Sequence, residues 1–365
     1  MSELQPQPEN SSTLIRDYDY ELPPELIAQT PIEPRDRSRL LVLDRVTGDI
    51  EHRIFADLPD YLNPGDLLVV NDSRVIPARL HGWRSTGGRV ELLLLRSLGG
   101  GRWEALVRPG RRLVAGSDIV LADRAGERTR KIATIVERTP DGSAVVLLPP
   151  EVDRSLSDYG EMPLPPYIHE HLGDQERYQT VYAETEGSAA APTAGLHFTP
   201  ELIDRIRHSG VRIVSVTLHV GTGTFLPVKV DDVREHQMHA EWFHVPQATI
   251  DAVNETRANG GRVIAVGSTS CRTLESVDLA DSSESGRSGW TDLFIKPGFA
   301  FHAVDGVVTN FHLPRSTLML FVSAFAGRDR ILAAYREAVR AGYRFFSFGD
   351  AMLIVERREI ARSTP

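Results

Sequence analysis

The chain has 365 residues, 41% of them apolar and 25% charged, with a formal charge of −9. These are the proportions of a folded globular protein long enough for about two domains. No apolar run reaches the roughly 20 residues that span a bilayer (the longest candidate is 318–326), and the single cysteine, Cys271, excludes an internal disulfide framework and any cysteine-based zinc site.

The first 13 residues, "MSELQPQPENSST", are polar and lack the basic flank and apolar core of a secretory signal, so a solvated tail and a cytoplasmic setting are expected. The stretch that follows the first predicted strands is distinct in charge. Residues 74–154 hold 15 Lys+Arg against 9 Asp+Glu, whereas the remainder holds 26 against 41. Net acidity argues against a non-specific nucleic-acid binder, but a basic module inside an acidic chain suits a phosphate-facing surface.

That module is also β-rich. "LLVVN" (67–71), "VELLLLR" (90–96), "RWEALV" (102–107), "KIATIV" (131–136) and "AVVLL" (144–148) alternate with glycine-rich turns, the pattern of a small barrel or sandwich. Prolines at 149, 150, 163, 165 and 166 mark its exit. Beyond it, helix and strand alternate. Thr199 caps a helix with Pro200 in its first turn and Ser209-Gly210 ends it. "VRIVSVTLHV" (211–220) predicts a strand, 248–258 a helix, and "RVIAVGSTS" (262–270) a buried strand entering a turn with a helix from Cys271 onward. "LADSSESGRSG" predicts a loop, "TDLFI" (291–295) a strand, 316–326 and 328–341 helices, and "YRFFSFGDAMLIV" (343–355) a closing strand. The fold class is therefore an α/β main domain with a mixed sheet plus an inserted small all-β barrel. The expected division is a tail at 1–13, an α/β catalytic domain from 14–73 and 155–365, and the inserted barrel at 74–154.

No phosphate-binding G-x-x-x-x-G-K-[ST], nucleophile elbow or H-E-x-x-H motif is present, and "GTG" (221–223) lacks the third glycine of a dinucleotide site. His219, His236 and His239 lack a completing carboxylate or thiolate, so no metal is expected. Cys271 at a helix start is a conceivable nucleophile, but with no adjacent base it reads as a small core residue. More informative are six loops rich in Gly, Ser, Thr or Pro at the ends of predicted strands: "NDSRVIPARL", "APTAGLHFT", "HVGTGTFLPV", "GSTSCRTLES", "IKPGFAFHAVDGVVTNFHLPRS" and "FSFGDAM". In α/β folds ligands bind beyond strand C-termini, where such loops converge. They carry the candidate site histidines His197, His219, His302 and His312, whereas His52, His81, His208 and His244 read as hydrogen-bonded structural residues. Arg74 and Arg79 suit either substrate contact or pairing with Asp72.

These loops, together with "DYDYELPPELIAQTPIEPRDRSRLLVLDR" and "RYQTVYA", resemble the S-adenosylmethionine:tRNA ribosyltransferase-isomerases of queuosine biosynthesis along nearly the whole chain. The family turn G-T-T-S stands here as "GSTS", which keeps a hydroxyl at Ser268. The resemblance implies an α/β domain with an inserted barrel. It also implies transfer of the ribosyl part of S-adenosylmethionine to 7-aminomethyl-7-deazaguanine at the tRNA wobble position, isomerisation to epoxyqueuosine, and release of adenine and methionine. S-adenosylmethionine would be a substrate, with no permanently bound cofactor. The partners would be the tRNA anticodon arm and S-adenosylmethionine, with no membrane, and the protein a monomer.

A base must then remove a proton from the ribose 5′ carbon, which the sulfonium acidifies, and an acid must assist adenine departure; histidine suits both. His197 is the first candidate. Its loop of glycine and alanine would let substrate approach the ring, and the helix starting near Thr199 would keep the ring neutral. His302, His312 and Asp350 are the other acid–base candidates. Ser268, Thr269, Ser270 and Arg272 would hold the amino-acid end of the donor. Arg74, Arg79 and Lys296 would meet tRNA phosphate or the methionine carboxylate, and Asp72, Thr193, His219, Thr222, Thr224 and Asn310 complete the expected binding set. Competing readings are a methyltransferase, which lacks its Gly-rich strand–helix start here, a non-catalytic RNA-binding protein, and a metal-dependent hydrolase.

Overall fold

In the computed structural model, the described residues are 12–110, 113–139, 142–170, 172–221, 230–280 and 285–357. The chain enters β1 (Arg39–Asp44) and β2 (Ile50–Ile54), then β3 (Leu67–Asn71) and the short β4 (Ser73–Val75). Six strands follow: β5 (Arg79–Arg84), β6 (Arg89–Gly99), β7 (Arg102–Arg108), β8 (Asp118–Ala122), β9 (Arg128–Arg138) and β10 (Ala144–Leu147). A short helix α1 (Pro150–Arg154) leads to β11 (Gly160–Glu161) and β12 (Thr185–Ser188). Next come α2 (Pro200–His208), β13 (Arg212–Leu218), β14 (Glu241–Val245), α3 (Gln247–Ala258), β15 (Val263–Val266) and α4 (Gly267–Glu275). β16 (Arg287–Thr291), β17 (Gly306–Asn310), α5 (Thr317–Ala326), α6 (Arg328–Arg340) and β18 (Ala351–Val355) complete the chain.

Strands β5 to β10 form a closed antiparallel barrel, because β5 pairs with both β6 and β8. Leu80, Leu92, Leu94, Ala105, Ile119, Leu121, Ala133, Ile135 and Val146 fill it. Closure removes the edges that a small antiparallel sheet would otherwise expose. The basic, glycine-punctuated stretch is thus an inserted barrel.

The main sheet has nine strands in the order β16-β14-β13-β3-β15-β17-β18-β1-β2. β3, β13, β15 and β17 run parallel, while β18 and β1 run against them. The period-two alternation of the central strands splits their side chains between two cores. Leu41, Leu43, Leu67 and Val69 pack with α3, α4, α5 and α6, and Leu40, Val42, Leu68 and Val70 pack with α2 and Phe55. One consequence positions the site: the C-terminal ends of β13, β3, β15 and β17 and the N-terminal ends of β18 and β1 share one edge of the sheet.

Three elements differ from expectation, the first being the closing strand expected at 343–355, which is confined to Ala351–Val355 with a turn before it. The strand expected at 291–295 lies earlier, at β16, because "RSGWT" pairs with β14 while the apolar Leu293 and Ile295 pack inward from a loop. The helix expected from Cys271 starts at Gly267, directly at the end of β15, so Cys271 lies one turn inside it and is fully buried. Burial pushes its thiol well up, away from nucleophilic use.

At the other edge a buried ion pair fastens β3 to β15. Asp66 accepts from the Arg262 backbone N–H (2.9 Å), its guanidinium (2.6 Å) and the Asn63 N–H (2.8 Å), and Arg262 also donates to the Tyr61 carbonyl (2.8 Å). Both side chains are only 3% exposed. Asp66→Ala leaves the guanidinium buried and uncompensated, so equilibrium urea unfolding is expected to show a loss of about 3–5 kcal/mol.

Candidate active site

The segment from Ala189 to Phe198 crosses the shared strand edge. Its start is tied by the Ala189 N–H to the Val220 carbonyl (3.1 Å) and by the Ser188 hydroxyl to the Ala190 carbonyl (2.6 Å). Residues Thr193–His197 form a 3-10 turn, and Thr199 caps α2 through the Leu202 N–H (3.1 Å) with Pro200 in the first turn. The small residues serve protein packing rather than substrate approach. A Cβ on Gly195 would overlap the Tyr182 hydroxyl, and Ala190, Ala191 and Ala194 are all buried.

His197 is 4% exposed and held at both ring nitrogens. Nδ1 lies 2.7 Å from the Ser38 hydroxyl and Nε2 lies 3.1 Å from the Asn310 amide nitrogen. The same amide nitrogen donates to the Phe346 carbonyl (3.1 Å), and the Asn310 oxygen accepts from the Thr193 hydroxyl (3.2 Å). A carbonyl only accepts, so the amide orientation is assigned by its partners, and Nε2 must be the unprotonated acceptor. The ring is therefore the Nδ1–H tautomer, donating to Ser38. Burial, then the Arg344 and Arg35 guanidinium groups, push its pKa down to about 3. The neutral ring expected from sequence is present, but burial and two cations cause it rather than the start of α2.

The ring forms the floor of a half-open cleft with Pro31, Ile32, Arg35, Ser38, Arg177, Leu196 and Ser347–Gly349. Arg35 is oriented by the Gln179 carbonyl (2.6 Å) and Arg177 by the Ile32 carbonyl (2.8 Å). Behind it, Asp350 accepts the backbone N–H groups of Arg39 and Arg344, each at 2.8 Å, locking β1 to the turn before β18. Phe346 in that turn has φ 71°, a strained conformation for a non-glycine residue, and its carbonyl is the one that fixes Asn310.

The remaining expected residues are distributed along the same edge or away from it. His312 is buried beside the cleft network, bonded to the Thr309 hydroxyl (2.8 Å), with its pKa lowered by burial to about 3. His302 precedes β17 and so sits at the opposite end of the sheet from Asn310, half exposed and paired with Glu275 at 2.7 Å. Asp72 accepts from the Thr217 hydroxyl (2.7 Å). Neither nearby arginine pairs with it: Arg74 bonds Glu176 (2.7 Å) and Arg79 the Leu164 carbonyl (3.0 Å). Ser268 and Thr269 lie in the first turn of α4, and the Thr269 hydroxyl is buried without a partner. Ser270 is turned back onto the Val266 carbonyl (2.8 Å), and Arg272 pairs with the buried Glu241. Lys296 lies over the Phe294 ring. His219 packs on Trp242 with its Nε2 buried and unpartnered. Thr222 and Thr224 lie outside the described residues. Among the described residues no group of three His, Cys, Asp or Glu side chains is arranged to hold a metal.

Sequence reasoning missed Arg35, Ser38, Arg177 and Ser347. Ser38 and Arg35 stand in the quoted "RDRSRL" run, but their contact with His197 crosses 159 residues for Ser38 and carries no local signal.

The family model described as "Queuosine biosynthesis protein" matches residues 15–354. A relative from Moorella thermoacetica, named S-adenosylmethionine:tRNA ribosyltransferase-isomerase, is 56% identical over 345 residues, covering 93% of this chain and 99% of its own. One of the same name from Staphylococcus saprophyticus is 53% identical over 344 residues, with the same two coverages. The crystal structure of the S-adenosylmethionine tRNA ribosyltransferase from Thermotoga maritima aligns with TM-score 0.54 and 44% identity, covering 93% of this chain and all of that one.

The buried rings set a pH dependence. Unfolded histidine binds a proton below about pH 6.5, whereas folded His197 and His312 do so only near pH 3. The unfolded state therefore binds more protons between those values, and stability rises with pH there. Each ring is expected to contribute full stability above about pH 6.5 and to lose roughly 1.4 kcal/mol per pH unit below it. Urea unfolding at pH 4.5 to 7 should show His312→Asn with a slope smaller than that of the unsubstituted protein by one proton.

Proposed function

The chain belongs to the queuosine biosynthesis protein family, and on that premise we propose that it transfers the ribosyl moiety of S-adenosylmethionine to 7-aminomethyl-7-deazaguanine in the anticodon arm of tRNA. The sugar is isomerised to the epoxycyclopentanediol of epoxyqueuosine. In this reaction the ribose 5′ carbon loses a proton, the bonds to adenine and to the sulfonium break, and the ribosyl unit joins the aminomethyl nitrogen. The observation that carries the reading is His197: a neutral imidazole at the floor of an arginine-walled cleft on the strand edge where the family motifs converge.

Burial holds His197 unprotonated at neutral pH, but it also makes the ring a weak base, so acting as the general base requires the substrate complex to raise its pKa toward the operating pH. Its basic position, Nε2, is held by Asn310, so proton abstraction requires that amide to exchange its bond for one to substrate. Ser38 on Nδ1–H keeps the tautomer and orientation, as a third group does in acid–base pairs generally. Arg35 and Arg177 suit the methionine carboxylate or a tRNA phosphate. His302, at the far end of the sheet, has no part in this reading. Residues 14–73 and 155–365 supply the catalytic part and the basic barrel faces RNA.

S-adenosylmethionine labelled separately in ribose and methyl tests the reaction. Ribose label without methyl label should enter tRNA carrying the aminomethyl-deazaguanine; methyl label entering instead would make the protein a methyltransferase. His197→Ala is expected to lower turnover by about 10²–10⁴-fold while circular dichroism stays native. Unchanged turnover in that folded variant would remove His197 as the base.

A further inference from the structure

The cleft occupies only one half of the strand edge. At the other half, three rings lie abreast on one face of the sheet. His219 directly follows β13, and its N–H bonds the Trp242 carbonyl on β14 (2.9 Å). Trp242 is paired in register with Trp290 on β16. Directly paired residues of an antiparallel ladder share a face, so His219, Trp242 and Trp290 form a transverse row at strand spacing, about 10 Å across. The His219 and Trp242 ring centroids are 4.9 Å apart. Trp290 is 51% exposed on the outermost strand, and the Arg96 guanidinium of barrel strand β6 lies over its ring, 4.8 Å from the centroid. A second row on the same face is polar, with His244 bonded to the Ser288 hydroxyl (2.7 Å).

The inner end of the row is closed by packing, with the His219 ring held between Trp242 and β12. A Cβ on Gly187 would overlap the His219 imidazole, so this glycine lets β12 pass beneath the ring. His219 Nε2 is buried with no partner, and Asp72 beside it is already engaged by Thr217. An exposed indole capped by a guanidinium, a half-buried indole paired beside it and a basic barrel wall are the chemistry of a base-stacking surface for single-stranded nucleic acid. The row continues toward the cleft, since β13 and β17 are three strand spacings apart, roughly 14 Å.

We propose that Trp242 and Trp290, backed by His219 and capped by Arg96, form a stacking platform for the unpaired tRNA nucleotides that flank the reacting base. The platform rests on the reading of tRNA as substrate. It assigns the RNA grip to the seam between sheet edge and barrel rather than to either alone.

The test measures affinity and tryptophan fluorescence with two probes, an unmodified anticodon stem-loop hairpin and a fully paired RNA duplex of equal length. The unsubstituted protein should bind the hairpin with quenching. Trp290→Ala and Trp242→Ala should each weaken hairpin binding by about 5- to 100-fold, the equivalent of one lost stacking contact, with duplex affinity and salt slope unchanged. Trp290→Phe should keep most of the affinity. Hairpin binding at full strength in both alanine variants would overturn the platform. So would a change of oligomeric state in RNA-free Trp290→Ala, which would make the face a self-interface. Label transfer separates the two readings. Quenching and variant losses without any ribosyl transfer by the unsubstituted protein would leave the platform standing and sink the proposed reaction. Transfer with an unaltered KM for tRNA in both alanine variants would do the reverse.

Discussion

A single carboxamide holds the candidate site together. Asn310 ends β17, and its side chain joins the crossing segment, through Thr193 and His197 at the two ends of its 3-10 turn, to Phe346 in the turn before β18. Each bond constrains the next. The Phe346 carbonyl orients the amide, the amide selects the His197 tautomer, and the tautomer directs Nδ1–H to Ser38 at the start of β1. A network with every member satisfied rigidifies a buried site, whereas loss of one member strands the others. The strained φ of Phe346 belongs to this arrangement, because that backbone aims its carbonyl at the amide.

Much of the scaffold was legible in the sequence because it rests on local rules. The unbroken apolar run of "LLVVN" marks a strand buried on both faces, although it serves as β3 of the main sheet rather than within the basic module, and Thr199-Pro200 places a helix start through its own hydroxyl and ring. The gathering of small-polar loops at strand ends follows from parallel topology, and His197, Asn310, Thr193, Thr269 and Asp72 do lie along that edge. The misreadings have one cause: long-range contact decided what local pattern could not. "TDLFI" is apolar enough for a strand, yet the ladder of β14 is filled by the more polar "RSGWT". Asp350 reads as an acid–base residue until two backbone N–H groups are seen to consume its carboxylate.

The charge of the chain needs the same treatment. Only three of the 41 cationic residues are lysine, so nearly all cations here are planar, multi-donor groups suited to fixed geometry. Many are spent on structure. Arg79, Arg177 and Arg39 donate to the carbonyls of Leu164, Ile32 and Ala341, and Arg96, Lys131 and Arg74 pair with Glu104, Glu151 and Glu176. The excess of 15 over 9 in the barrel stretch already subtracts Glu104 and Glu151, so of these pairs only Arg74 with Glu176 reduces it, and the groups bonded to carbonyls keep their charge in a fixed direction. Such a surface suits phosphate through guanidinium groups whose directions are already set.

Phosphate contacts position a backbone and leave the bases to the flanking surface. An enzyme that works on a base inside a loop has to hold the base out of its stack, and the neighbours that lose a stacking partner need another. Aromatic faces provide one without net charge and without sequence preference. Arg96 has both functions at once: its ion pair to Glu104 fixes the guanidinium plane, and the plane then lies over Trp290. Placing the cap on the barrel and the rings on the sheet makes the platform depend on the relative position of the two. Nucleotides seated across the seam would bind best when barrel and sheet are aligned with the cleft.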